Sequence, residues 1–149
     1  MQNIYFLILL AIVAGIVIPI QGGVNTRLAD VLNSPILSAF LSFAIGTLAL
    51  FVYVLVSGTP LGGLANVKNA PPLALTGGIF GAFFVASTIM LIPRLGVAVT
   101  FGLVVAGQML FSIVIDHFGL LGTPVTKANW ARLGGVLLIT VGTIIIRRY

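Results

Sequence analysis

Five long apolar runs, separated by short polar connections, decide what this chain can fold into. Each run is about 20 residues long, the length that an α-helix needs to cross the hydrocarbon core of a bilayer. Inside that core the backbone has no water to bond with, so uninterrupted helices are the expected spanning structures. The sequence therefore predicts an all-α integral membrane protein with five transmembrane helices, at about residues 4–31, 35–56, 72–92, 97–115 and 131–146.

Composition leaves room for little besides these spans. Hydrophobic residues make up 60% of the 149 residues and charged residues 6%, whereas about a quarter of an ordinary soluble domain is charged. We therefore expect residues 1–149 to form a single five-span membrane domain whose partner is the lipid bilayer. The seven Lys and Arg residues are scattered without a basic run, so nucleic acid is not an expected partner.

The inventory of reactive side chains argues against an enzyme. The chain has no Cys and no Glu, and its two Asp residues and one His lie near span ends. No Ser/His/Asp arrangement, phosphate-binding loop or zinc-ligand spacing can be assembled from these residues. We expect no catalytic residue, no cofactor and no metal site.

Polar residues follow the first apolar run directly, in the stretch PIQGGVNTRLAD at residues 19–30. Gln21 and Asn25 are four apart and share one face of a helix, whereas Arg27 and Asp30 lie on another. A helix from residue 4 to Val31 would be roughly 42 Å long, which exceeds the hydrocarbon thickness of about 30 Å. Gln21 and Asn25 would then lie within the bundle, with Arg27 and Asp30 at the membrane interface.

Two alternatives stay open for the same stretch. Pro19, Gly22 and Gly23 weaken a helix, so a kink or local unwinding near Gln21 would free backbone groups to contact a solute. Otherwise residues 21–34 are only a polar connection between the first two spans.

Gln108 lies well inside the fourth span. An amide at this depth must find a hydrogen-bond partner or lose roughly a few kcal/mol, and either a transported solute or a neighbouring helix would supply one. We predict that Gln21, Asn25 and Gln108 line one central cavity. Arg94, in the P-R-L-G sequence between the third and fourth spans, is either an interfacial charge or faces an internal vestibule.

Asp116 and His117 are the candidates for proton coupling. Histidine changes its charge near physiological pH, and an adjacent carboxylate could share the proton. Both residues lie at the end of the fourth span, so the sequence favours an interfacial cap over a coupling pair.

Small residues recur every four positions in three of the spans. In lipid, such stripes allow two helix backbones to approach closely, so we expect them to form contacts between helices. They are Ser34, Ser38, Ser42 and Gly46 in the second span, Ala70, Ala74, Gly78, Ala82 and Ala86 in the third, and Ala98, Gly102 and Ala106 in the fourth.

Three motifs together resemble one transporter family over essentially the whole chain. They are Gln21-x-x-x-Asn25-x-x-Leu28 followed by Ser-Pro, the segment PRLGVAVTFGLVVAGQ, and the sequence IDHFGLLG. The chain resembles the bacterial five-helix members of the drug/metabolite transporter (DMT) superfamily, a branch catalogued largely as a domain of unknown function. The resemblance implies half of an inverted-repeat transporter in the bacterial inner membrane, since larger relatives contain two five-helix repeats of opposite orientation.

The resemblance also implies site residues. Gln21, Asn25, Arg94 and Gln108 match positions typical of this branch, which makes them the candidate substrate-binding residues. The four-helix multidrug relatives rely on a membrane-embedded glutamate in the first span. This chain lacks one, which argues against proton-coupled export of cationic drugs.

The sequence therefore predicts a secondary transporter subunit that moves a small polar or weakly charged metabolite by alternating access. Its expected partners are this small-molecule substrate and a second copy of the chain in the opposite orientation, forming an antiparallel homodimer of dual topology. The alternative is a membrane accessory or assembly subunit that transports nothing. Amides buried in contacts between helices, rather than facing a cavity, would favour that alternative.

Overall fold

A computed structural model describes residues 3–149, and the regular structure in this range is helical. Five long α-helices follow one another along the chain, all of them long and apolar enough to cross a membrane. The predicted all-α fold with five spans is therefore confirmed. The helices are α1 (Ile4–Leu32), α2 (Pro35–Val56), α3 (Gly77–Leu95), α4 (Val97–Phe118) and α5 (Trp130–Arg148), with 3₁₀ segments at Leu61–Asn69, Pro72–Thr76 and Leu120–Gly122.

The turn between α1 and α2 is two residues long because both of its residues cap a helix. Asn33 adopts the left-handed conformation, φ 51° and ψ 30°, and its N–H donates to the carbonyl of Ala29; asparagine tolerates this conformation better than most residues. The Ser34 hydroxyl then accepts a bond from the Leu37 N–H at 3.2 Å. Pro35 occupies the first turn of α2, where its missing N–H costs nothing.

Helix α1 continues without interruption through the polar stretch. Pro19 lies inside the helix, and neither it nor the pair Gly22 and Gly23 breaks it. The alternatives of local unwinding near Gln21 and of a polar connection over residues 21–34 are therefore both wrong. A proline removes one backbone hydrogen bond, and the remaining bonds of a 29-residue helix maintain its course in lipid.

The third span, Pro72–Leu95, combines a short 3₁₀ segment with an α-helix. Its first residues, Pro72–Thr76, form a 3₁₀ turn before α3 begins. At the other end α3 includes Pro93 and reaches Leu95, so Gly96, at φ 81°, is the sole residue between α3 and α4. The predicted small-residue stripe on this span is accordingly shorter, because Ala70 and Ala74 precede the α-helix.

The chain divides into two compact units, Met1–Pro93 and Arg94–Tyr149. In the first unit, α1, α2 and α3 share a small core formed by Ala29, Ala39, Val85 and Ile89. In the second unit, α4 packs along α5, and Val99, Thr100, Ala106, Ile113 and Thr143 are buried. The single five-span domain expected from the sequence stays a prediction.

Most large apolar side chains lie on the helix surfaces rather than in these cores. Every residue of the 4–18 stretch of α1 is exposed, and the same holds for much of α2 and α5. A soluble protein rarely exposes apolar patches of this extent. In a bilayer these surfaces contact acyl chains, so the protein core can remain small.

Helices α4 and α5 come close together at Gly102. A Cβ atom added there would lie 2.5 Å from Oγ1 and 2.7 Å from Cγ2 of Thr143. Thr143 is 4% exposed and its hydroxyl donates to the Ile139 carbonyl at 2.9 Å, which holds the side chain in place. The glycine of the predicted stripe thus allows the two helices to touch.

Replacing Gly102 by Ala should destabilise the second unit by about 1–3 kcal/mol, the usual range for overpacking a close contact. Gly107→Ala is the matched control, because nothing lies within 4 Å of a Cβ added at Gly107. Unfolding in mixed detergent micelles, followed by circular dichroism, measures both variants. Equal stability of the two would contradict the contact, whereas partial recovery in a Gly102→Ala, Thr143→Ala double variant would support it.

Candidate functional site

The site begins with the register of the α1–α2 hairpin. The two helices run antiparallel from their two-residue turn, so residues before the turn meet residues after it. Ser38 donates its hydroxyl hydrogen to the Asn25 carbonyl oxygen at 2.6 Å, and the Asn25 Nδ2 donates to the Ser42 Oγ at 3.1 Å. These bonds place the polar stretch of α1 against the small-residue stripe of α2, as the stripe predicted.

Asn25 is buried in this contact. Its exposed fraction is 5%, and that of Ser38 is 0%. The part of the chain that the structure describes contains no buried side-chain nitrogen or oxygen without a hydrogen-bond partner. Asn25 therefore joins the two helices, which is the role of an interhelical polar contact in lipid.

Gln21, one turn before Asn25 on the same helix, has a different environment. Its side chain is exposed and lies at an open cleft of about 220 Å³ between α1 and α2. The cleft is lined by Gln21, Ser42, Phe43, Gly46, Thr47 and Leu50. It holds one side-chain amide, two hydroxyls and an aromatic ring, and none of these lining side chains is charged.

The depth of the cleft suits a site within the membrane. Gln21 precedes Arg27, the charged residue expected at the membrane interface, by six residues, or about 9 Å along the helix axis. The hydrocarbon core is about 30 Å thick, so Gln21 lies inside it. Uncharged hydrogen-bonding groups at this depth recognise a solute by the partners it offers, because a solute without them leaves polar groups of the cleft unpaired.

A second and larger groove in the first unit has a different chemistry. It measures about 630 Å³ between α2 and α3, and Ser87 is the single polar residue along it. The apolar lining residues are Ile36, Ala39, Phe40, Phe43, Ile79, Ala82, Phe83, Ala86 and Met90. Such a surface suits contact with lipid and does not offer the hydrogen bonds that a polar solute needs.

Arg94 and Gln108 belong to the second unit, and both side chains are exposed. Within that unit no hydrogen bond of the Gln108 amide is found among the described residues. The convergence of Gln108 with Gln21 and Asn25 on one cavity stays a prediction, as does the substrate-binding role of Arg94.

Asp116 and His117 take part in a clasp between the end of α4 and the start of α5. The Arg132 guanidinium forms an ion pair with the Asp116 carboxylate and donates to the Thr126 carbonyl at 3.1 Å. The His117 Nδ1 accepts a bond from the Ala128 N–H at 3.0 Å. The arrangement has the geometry of an interfacial cap that secures the connecting loop, and a role in proton coupling stays a prediction.

The residues that could bind a metal ion are not grouped. Among the described residues, no cluster of three or more His, Cys, Asp or Glu side chains occurs.

Comparison with known proteins decides the family. The family described as "Putative inner membrane exporter, YdcZ" matches residues 6–145, which is nearly the whole chain. The chain belongs to the YdcZ family of DMT-type proteins. The inner membrane protein YdcZ of Escherichia coli (strain K12) is 27% identical to it over 138 residues, covering 92% of this chain and 91% of that protein. No solved structure matches the chain.

Family membership confirms the resemblance drawn from the sequence motifs. A YdcZ family member with five helices long enough to cross a membrane is a multi-pass protein of the inner membrane. The description of the family as exporters supports a transporter and favours it over an enzyme.

Sequence reasoning missed Ser42 and Thr47 as cleft residues. The small-residue stripe predicts only a packing role for Ser42. The spacing is the signal that could have identified it. Ser42 and Gly46 are four apart on α2, and Gln21 and Asn25 are four apart on α1. One antiparallel register therefore brings the α2 pair opposite the α1 pair.

Replacing Asn25 by Leu should destabilise the first unit by about 0.5–1.5 kcal/mol, because Ser42 then loses its hydrogen-bond donor. Gln21→Leu is the matched control on the same helix face and should change stability little. Unfolding in mixed micelles measures both. A loss for Gln21→Leu as large as that for Asn25→Leu would show that Gln21 is also a packing residue.

Proposed function

We propose that the chain is one half of a secondary transporter that moves a small, polar, uncharged or weakly charged metabolite across the inner membrane. The observation that carries the proposal is the uncharged cleft at Gln21, within a chain whose family is described as exporters. The cleft combines an amide and two hydroxyls with an apolar wall. Binding sites for small molecules commonly have this composition, a few polar groups within an apolar surface.

The size of the cleft supports a small solute. Its volume of about 220 Å³ corresponds to roughly seven water molecules at about 30 Å³ each. Without a charged lining residue, a fully charged solute would lose its hydration with no ionic partner in exchange. Polar metabolites that are neutral or weakly charged fit the cleft best.

We further propose that two copies of opposite orientation form the complete transporter and work by alternating access. Five spans place the two chain ends on opposite sides of the membrane, so two oppositely inserted copies form an inverted repeat, the plan of many secondary transporters. A two-fold axis in the membrane plane closes such a pair.

The distribution of positive charge supports insertion in both orientations. Five crossings place Lys68, Lys127 and Arg132 on one side and Arg27, Arg94, Arg147 and Arg148 on the other. Orientation follows the excess of Lys and Arg on the cytoplasmic side. Three residues against four give the insertion machinery little preference.

The accessory-subunit alternative rests on Asn25. Burial of its amide between α1 and α2 is what a protein that only assembles with others would show. Gln21 distinguishes the two functions. Its side chain lies at a cleft, and a residue that only packs helices together does not need to line a cleft. The transporter is therefore the function that the geometry supports better.

Gln21→Leu and Gln108→Leu should each abolish uptake of the transported solute while leaving the protein inserted and folded. Both residues are exposed, so neither change creates an unpaired buried group. A screen of small polar solutes on reconstituted vesicles, with and without a pH gradient, identifies the solute and measures both variants. Gln108→Asn, which retains the amide, is the control and should keep part of the activity. Full transport by Gln108→Leu would remove Gln108 from the pathway.

A tag placed after Tyr149 should be accessible from both sides of the membrane when the chain is expressed alone. Adding two or three lysines to the loop around Lys68 should shift the tag toward one side, since the charge difference sets orientation. Labelling with an impermeant reagent in intact and opened cells measures the two populations. A tag found on one side only would contradict the homodimer and indicate a separately encoded partner with the opposite charge bias.

A further inference from the structure

The hydrogen bond between Asn25 and Ser42 has a direction. The Asn25 Nδ2 carries hydrogens and no acceptor lone pair, so it must be the donor, and the Ser42 oxygen accepts. A serine hydroxyl has one hydrogen of its own besides its acceptor lone pairs. Accepting from Asn25 therefore leaves the Ser42 hydrogen free to be donated elsewhere.

Hydroxyls inside helices usually donate to the carbonyl four residues earlier. The structure shows this bond for several threonines of the chain and not for Ser42, whose hydroxyl bonds with Asn25 alone in the described residues. The threonines that do so are Thr26, Thr100, Thr140 and Thr143. Ser42 is thus a half-buried residue with an uncommitted donor, and it lines the cleft that also holds Gln21 and Thr47.

We propose that Ser42 is a solute-binding residue that donates a hydrogen bond to a neutral oxygen acceptor, such as a carbonyl or hydroxyl oxygen, and that Asn25 is its positioning residue. Asn25 occupies one lone pair of the Ser42 oxygen and so directs the hydroxyl hydrogen away from the α1–α2 contact. The Gln21 amide and the Thr47 hydroxyl, each a donor and an acceptor, offer bonds to neighbouring groups of the same solute.

The chemistry of the lining excludes other ligand classes from this position. A cation would need a carboxylate or a ring of free acceptors, and an anion would need Arg or Lys, yet the lining residues are Gln, Ser, Thr, Phe, Gly and Leu. An apolar ligand would leave the Ser42 donor unpaired, which is unfavourable. A neutral solute with an oxygen acceptor satisfies the Ser42 donor without needing a charged partner.

The first experiment asks whether water reaches Ser42 in the membrane. The chain contains no Cys, so Ser42→Cys and Thr47→Cys each introduce a single thiol. The control is Ile45→Cys, also on α2, which is 63% exposed and outside the cleft lining. In reconstituted vesicles, a small water-soluble methanethiosulfonate reagent should modify both cleft variants about tenfold or more faster than the control, because a thiol reacts as its hydrated thiolate. Rates equal to the control would overturn the proposal.

The second experiment asks in which direction the hydroxyl points. The S–H stretching band of Ser42→Cys should move to lower frequency, with saturation, when dimethyl sulfoxide is added, because this neutral probe accepts hydrogen bonds and donates none. The band of Ile45→Cys should not show a saturable shift. An unchanged Ser42→Cys band would overturn the assignment of Ser42 as a donor.

The positioning role of Asn25 is tested in the same spectrum. Adding Asn25→Val to Ser42→Cys removes the amide donor, so the thiol becomes free to donate to the Ser38 carbonyl four residues earlier. The response to dimethyl sulfoxide should then disappear while circular dichroism shows that the helices remain. A retained response would show that Asn25 only packs the helices.

The solute class rests on the proposed function, and the two can fail separately. One outcome is that the cleft variants react and their S–H band responds to dimethyl sulfoxide, while the protein transports nothing in the solute screen. That outcome would leave the binding site in place and refute transport. Transport by a protein whose Ser42→Cys thiol is unreactive would refute the site and leave the transporter function intact.

Discussion

Two hydrogen bonds join α1 to α2, and the candidate site depends on this contact. Ser38 bonds to the Asn25 backbone carbonyl and Asn25 bonds to Ser42, while the buried apolar residues that these two helices contribute to the core are two alanines, Ala29 and Ala39. In lipid the hydrophobic effect does not drive helices together. Two hydrogen bonds between small residues therefore set the register that brings Gln21 to the cleft.

The same physics explains why the protein has so little core. Among the described residues the largest fully buried side chain is Ile89, and the contacts that join α1 to α2 and α4 to α5 include glycine, serine and threonine. Acyl chains solvate the leucines, valines and phenylalanines that a soluble protein would have to bury. Polar side chains then become the specific features of the bundle, because an unpaired amide is costly in hydrocarbon whereas an exposed leucine is not.

One helix shows that neighbouring amides can have different roles. Gln21 and Asn25 are one turn apart on α1, yet Asn25 is buried between two helices and Gln21 is exposed at a cleft. The difference arises on α2, where Ser38 and Ser42 lie opposite Asn25 and the smaller Gly46 lies beside Gln21. Serines fill the space next to Asn25 and bond to it, whereas the glycine leaves the space open.

The amino-acid sequence by itself determined the five spans, the membrane environment, the absence of an enzyme's usual reactive groups and, through its motifs, the family. These properties follow from run length, composition and local capping, as at Asn33, Ser34 and Pro35, which depend on neighbours along the chain. The tertiary structure decided that α1 runs unbroken past Pro19, that Asn25 joins helices and that Ser42 and Thr47 share the cleft with Gln21. The unbroken course past Pro19 depends on the backbone hydrogen bonds that the rest of α1 keeps in lipid. The roles of Asn25, Ser42 and Thr47 depend on which α2 residue faces which α1 residue, and helical periodicity specifies the face of a residue without specifying the register of its partner.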